Sequence, residues 1–379
     1  MAKKKPLPLF LWAIFILAFL IGMPPILKAS FSGEDPAEIK TELPEWTGVI
    51  RLLHVRDWQG GVSLENFLKE QIARFEKNNP KVFIEMTVVT GENFSEELLQ
   101  NADLLSFSTG TLKDPREKLW PLSGANGLKS EFAGLGAYQG TQYAIPYAYG
   151  TYVLCRNTSL ASTLPEDGEN FAQSLADLSM DRGKGSEQQR VTGIALGSGG
   201  LRMPYLALVL AGGGGPEILE GADGTLLSMT DAYSAFAKGN SAYYVGTLND
   251  GAKLRKKAED GELPLALSLP VGNGPCYTDM VQYMGVVRGD DTKRSEMCAK
   301  FVGQVVDERA QKGITAAGAF PVRALDESAY EPESWLYPLE GQNLKILSPF
   351  MDQKEKEEFV QAAVKVLQGD MDGLNRWLP

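Results

Sequence analysis

VIRLLHVRDWQGG, Val49 to Gly61, opens as an apolar run and ends in Arg56, Asp57, Trp58 and Gln59 before two glycines. The run predicts a β-strand, and the polar knot marks where that strand leaves a sheet. Next comes SLENFLKEQIARFEKNNP, Ser63 to Pro80, with Leu64, Phe67, Leu68, Ile72 and Phe75 along one helical face. Ser63 supplies a cap and Pro80 a stop. KVFIEMTVV, Lys81 to Val89, alternates like a second strand, ENFSEELLQ reads as a short helix, and ADLLSFSTG, Ala102 to Gly110, is a third strand ending in small polar groups. Strand, helix, strand, helix, strand implies the α/β class, with a parallel sheet and helices on its faces. Ligands of open parallel sheets sit at the carboxyl ends of strands. Arg56 to Gln59 and Ser106 to Thr109 are therefore expected to face one crevice.

The chain has 379 residues, of which 44% are hydrophobic and 22% charged, enough to bury a sizeable core in two lobes or domains. Its 48 acidic and 37 basic residues give a formal charge of −11, which argues against nucleic acid as a partner. A single histidine, His54, and three widely spaced cysteines, Cys155, Cys276 and Cys298, argue against a zinc site, and no cofactor motif is present. His54, inside an apolar run, reads as a packed strand residue. The glycine runs lack the Lys and Ser/Thr of a nucleotide loop, and no G-x-S-x-G nucleophile elbow occurs.

Lys3, Lys4 and Lys5 precede Leu7 to Leu27, an uncharged stretch about long enough to cross a bilayer. By the positive-inside rule, everything after Lys28 would emerge outside the cytoplasm. LKAS, Leu27 to Ser30, is a poor processing site, which favours an uncleaved anchor over a cleaved signal peptide in residues 1–30. Residues 31–45, rich in Ser, Gly, Glu, Asp and Pro, read as a linker, and the folded part is expected to start near Trp46.

Five further landmarks follow in order: YAIPYAYGTYVLCRN (Tyr143 to Asn157), FAKGNSAYYVG, LPVGNGP, the helix AKFVGQVVDERAQKG, and AAGAFPVRA. Together with VIRLLHVRDWQGG, its following helix and ADLLSFSTG, they resemble the extracellular solute-binding proteins of ABC importers, in family 1 with its maltose-type and other sugar-binding members. The resemblance covers nearly all of Trp46 to Pro379. It implies a two-lobe periplasmic-binding-protein-like fold of type II, with a ligand clamped between lobes joined by hinge strands. Lobe I would be Trp46 to Tyr147 plus Gly285 to Arg323, and lobe II Thr151 to Tyr283 plus Ala324 to Pro379. The family's lipid-anchoring cysteine is missing, which suggests a transmembrane tether instead.

Asp57, Trp58 and Gln59 offer a carboxylate, an indole and an amide at a strand end. Sugar recognition wants such a set, because an aromatic face stacks on a pyranose while planar polar groups chelate adjacent hydroxyls. The alternative is a loop whose Trp58 packs inward and whose Asp57 caps the next helix. Ser108 ends the third strand on the same crevice. Tyr147 and Tyr149 flank the first hinge crossing, and hinge packing is their alternative. Of Tyr243 and Tyr244 at most one, Tyr244, should face the cleft, since neighbours on a strand point opposite ways. Asn249 matches a loop that approaches ligand in relatives, with helix capping as its other reading. In GNGPCYTD, Gly272 to Asp279, glycines allow close backbone approach while Tyr277 and Asp279 add a ring and an acceptor.

The expected function is a non-enzymatic extracytoplasmic receptor that takes a small solute, a sugar or oligosaccharide, to ABC permease subunits while tethered to the membrane. The alternatives are an anchored polysaccharide hydrolase and a degenerate binding fold serving as an envelope interaction domain.

Overall fold

The computed structural model describes residues 46–56, 63–165, 168–182, 189–198, 215–268, 276–340 and 344–370. The expected membrane segment, the linker and the knot Asp57, Trp58, Gln59 lie outside the described residues. Among those described, no helix is long and apolar enough to cross a membrane.

The opening stretch forms β1 (Gly48–Arg56), followed by α1 (Ser63–Asn78), β2 (Val82–Thr90), α2 (Glu96–Gln100) and β3 (Leu104–Ser108). β1 pairs in parallel with both β2 and β3, as the alternation of elements requires. β4 (Ala144–Tyr149) and β11 (Val281–Val286) complete a five-stranded sheet in the order β2-β1-β3-β11-β4, with β11 antiparallel to its neighbours. α1 and α7 (Thr292–Val305) cover one face: Phe75 meets Phe301 edge-on, and Phe67 stacks on Tyr147. Phe107 and its register partner Tyr283 project from the other face, where Phe107 also meets Phe350.

Trp46 starts the described fold as a fixed point. Its indole N–H donates to Asp291 at the α7 cap, and the Arg294 guanidinium lies 5.3 Å from its ring centre. The expected helix AKFVGQVVDERAQKG, Ala299 to Gly313, is divided between two helices. Asp307 accepts from Ala310 N and starts α8 (Glu308–Gly313), because an acceptor side chain in extended geometry favours a new N-terminus over continuation.

The second sheet has the order β9-β5-β8-β7-β6, built from β5 (Tyr152–Asn157), β6 (Met180–Arg182), β7 (Gln189–Ala195), β8 (Ser241–Thr247) and β9 (Leu265–Ser268). Alternation along β8 sends Tyr243 to Phe171 on α3 (Gly168–Asp177) and Tyr244 to Phe236 on α5 (Met229–Ala237). Helices therefore cover both faces. α4 (Gly215–Gly221) and α6 (Leu248–Glu259) complete this body.

Two passages carry the chain between sheets. Gly150 and Thr151 separate β4 from β5, and β10 (Cys276–Thr278) lies between β9 and β11. They are tied to each other: Gly150 N donates to Met280 O at 2.7 Å and Thr278 Oγ1 to Gly150 O at 3.1 Å. β10 also pairs in parallel with β12 (Leu344–Ile346), which precedes the last described helix, α9 (Gln353–Leu367).

Candidate ligand-binding site

The carboxyl edge of the first sheet is polar but sealed. His54 Nδ1 and Ser106 Oγ share a hydrogen bond of 2.8 Å, Ser106 Oγ meets Tyr147 Oη at 2.9 Å, and Gln282 Nε2 donates to both Ser106 Oγ and Val55 O. His54, Ser106, Tyr147 and Gln282 have no exposed surface. A Ser–His contact invites a nucleophile reading. Here the serine is shared among three partners and has no path to solvent, so the contact ties strands β1, β3, β4 and β11 together. Burial pushes the Tyr147 phenol well above its ordinary pKa, so it stays neutral.

The residues singled out in the sequence divide into three groups. Asp57, Trp58 and Gln59 lie outside the described residues, as do Gly272 to Pro275. Tyr277 lies on β10 opposite Lys345 in register. The others are placed as follows. Ser108 ends β3, is buried, and pairs with Gln282 in register. Tyr149 is in the interior between Phe132 and Phe320, with the Lys129 ammonium 5.3 Å from its ring centre and 3.4 Å from its hydroxyl. Desolvation lowers the Lys129 pKa there. Tyr244 is buried, and its hydroxyl donates to Asp250 Oδ2 at 3.2 Å. Asp279 is buried at the strand passage, accepting from Tyr152 Oη at 2.8 Å.

Asn249 sits half-buried in the first turn of α6, but it is not the cap. Thr247 holds that position in a reciprocal box with Asp250: Thr247 Oγ1 accepts from Asp250 N, and the Asp250 carboxylate accepts from Thr247 N. An Asp three residues after a Thr was the readable signal for this arrangement.

Among the described residues, open space lies one step outward from this edge. A cavity of about 480 Å3 is lined by Phe94, Ser95 and Glu96 beyond β2, and by Thr111 to Asp114, Glu117 and Lys118 beyond β3. Its volume falls within the ~300–1,000 Å3 typical of small-molecule sites. The cavity collects residues after the carboxyl ends of two parallel strands, as the crevice rule expects, yet none of them stood out in the sequence.

Most of its charges are internally matched. Lys118 Nζ reaches Glu96 Oε2 at 2.9 Å, Lys113 Nζ reaches Asp352 Oδ2 at 3.0 Å, and Arg116 beside the cavity pairs with Asp114, whose pKa is lowered by that hydrogen bond. Phe94 contributes a half-buried ring to the same wall. A ring beside oriented but neutralised polar groups suits a ligand rich in hydroxyls and poor in charge. Among the described residues, no group of three or more His, Cys, Asp or Glu side chains could hold a metal ion.

No family model matches the sequence, and no curated protein matches it. Solved structures do match. A family 1 extracellular solute-binding protein from Bifidobacterium longum subsp. infantis aligns over 87% of this chain and 97% of its own, with a TM-score of 0.63 and 13% identity. The fold is that of the solute-binding proteins. A second structure with this solute-binding fold is the cyclic alpha-maltosyl-1,6-maltose binding protein of Arthrobacter globiformis, at 87% and 97% coverage, TM-score 0.61 and 14% identity. A third is the GacH receptor of Streptomyces glaucescens, solved unliganded and with acarbose, at 87% and 95% coverage, TM-score 0.59 and 16% identity. The solute-binding fold thus extends over most of this chain, at identities too low to carry individual side chains across.

Proposed function

We propose that this protein is a non-enzymatic extracytoplasmic receptor of an ABC importer that captures a sugar or oligosaccharide and presents it to permease subunits. The observation that carries this reading is the cavity at the carboxyl edge of the first sheet, with Phe94 and charge-matched polar groups in its wall, within a fold whose solved neighbours bind maltosyl sugars and acarbose.

In this reading, Trp46 to Tyr147 plus Gly285 to Arg323 form one lobe and Thr151 to Tyr283 plus Ala324 to Pro379 the other. The passages at Gly150–Thr151 and Thr278–Met280 act as the hinge. Closure about such a hinge would bring Tyr277 and the Asp57–Trp58–Gln59 knot toward the same ligand and create the surface a permease reads. Leu7 to Leu27 would tether the receptor to the membrane. A hydrolase reading gains no support from the buried Ser106–His54 contact.

The test is a thermal-shift screen of the purified full chain against linear and cyclic malto-oligosaccharides, manno-oligosaccharides and chito-oligosaccharides. A ligand that binds only the folded state raises the melting temperature. The expected result is a saturable shift with at least one sugar, recovered chemically unchanged, and a weaker shift in Phe94→Ala. A flat response across the panel would overturn the sugar-receptor reading.

A further inference from the structure

The cavity wall and the attachment of the last helix share one residue. Lys113 lines the cavity, and its Nζ reaches Asp352 Oδ2 at 3.0 Å and Glu355 Oε1 at 3.4 Å. Both acids also hold the N-terminus of α9: Asp352 Oδ1 accepts from Glu355 N at 2.8 Å, and Glu355 Oε2 accepts from Asp352 N at 2.9 Å. Each carboxylate thus commits one oxygen to the helix cap and turns the other toward Lys113. The fork is ordered by the cap before the lysine engages it. That removes part of the side-chain entropy that normally makes exposed ion pairs weak.

The surroundings make this fork a join between the two sheet bodies. On the first-sheet side, Gly110 N donates to Pro349 O at 3.2 Å, Leu112 bridges Phe350, and the Phe350 ring meets those of Phe107 and Tyr138. The space that a Cβ on Gly110 would need is filled by the Lys356 stem from α9. On the second-sheet side, α9 packs against α4, and Gly369, just beyond its end, lies beside Pro216.

We propose that Lys113 is a positioning residue that couples the cavity wall to the seating of α9, so that the order of one controls the order of the other. The join itself stands on the fork geometry; its meaning for ligand capture rests on the receptor reading. Occupancy that orders residues 111–118 would then strengthen the seating of α9, and loosening α9 would weaken ligand binding by the same factor.

Hydrogen exchange followed by mass spectrometry on the full chain tests the coupling without any ligand, so its failure is distinct from failure of the sugar-receptor reading. In Lys113→Gln, exchange is expected to rise about threefold to fivefold in residues 111–118 and also in residues 353–358, while peptides from the second sheet stay unchanged. Lys113→Arg should restore protection. Potassium chloride at about 1 M should loosen the wild type in the same two segments and add little to Lys113→Gln, because screening acts on the same pair. Unchanged exchange in residues 353–358 of Lys113→Gln, or equal loosening of wild type and variant by salt, would overturn the proposal.

Discussion

The two sheets end their strands in similar residue types and use them differently. At the edge of the first sheet, His54, Ser106, Tyr147 and Gln282 are bound to one another beneath the surface and knit four strands together. At the end of β8 in the second sheet, Tyr244 and Thr247 converge on one carboxylate, Asp250, which belongs to a helix cap. One edge spends its polar groups across strands, the other along the chain. In neither case does a buried tyrosine reach open space. Among the described residues, the open space near this edge lies beyond the strands, on the segments that line the cavity. A strand-end aromatic is therefore a weaker sign of a ligand site than the loop that follows it.

Gln311 gives the largest way to break this comparison. Its amide donates to Tyr147 O and Val305 O and its Oε1 accepts from Val322 N, so one buried side chain serves three segments around the first sheet. Gln311→Ala strands those groups and should cost about 4 kcal/mol in urea unfolding, at about 1–3 kcal/mol for each unsatisfied buried partner, reduced by partial relaxation. A loss below about 1 kcal/mol would show that the segments hold without the clamp.

The next effect sets the two edges against each other. Ser106→Ala removes the shared centre of the first-sheet cluster and should cost about 2 kcal/mol, whereas Tyr244→Phe keeps its ring packing and loses a single hydroxyl bond, for about 1 kcal/mol. Urea midpoints measured side by side give the order, and equal losses would erase the distinction between cross-strand and along-chain use.

The smallest effect concerns pH. The backbone N–H of Glu355 and the Lys113 ammonium lower the Asp352 pKa, while Asp352 and Glu355 raise that of Lys113. A depressed carboxylate stabilises the fold above its unfolded value near 3.9, and that contribution is lost as pH falls through the folded value. A raised lysine contributes below about 10.4 and is lost as pH rises through its folded value. The stability difference between wild type and Lys113→Gln should stay level from about pH 5 to pH 9 and vanish toward pH 2. A difference that disappears already by pH 6 would remove Asp352 from the join.

The sequence alone determined the parts whose physics is local. The period of apolar residues set β1, α1, β2 and β3, and their alternation required the parallel pairing that β1 shows. Helix caps are local too, since a capping oxygen acts within three residues of its donor, yet the apolar period alone carries one helix straight through Asp307, where the structure starts a new one. His54 was legible as a packed strand residue from its apolar neighbours. Tertiary structure decided which polar groups are consumed and which stay available. Nothing near Tyr147 or Asp279 announces Ser106 or Tyr152 as a partner, since these contacts join residues 41 and 127 positions apart. The cavity residues Phe94, Glu96, Lys113 and Glu117 carry no motif, because what unites them is the meeting of two loops beyond β2 and β3, strands that the sheet holds on either side of β1. Lys113 reaches the Asp352 carboxylate across 239 positions of chain. Periodicity describes a segment and its faces; a site is a coincidence of segments, and only the fold supplies it.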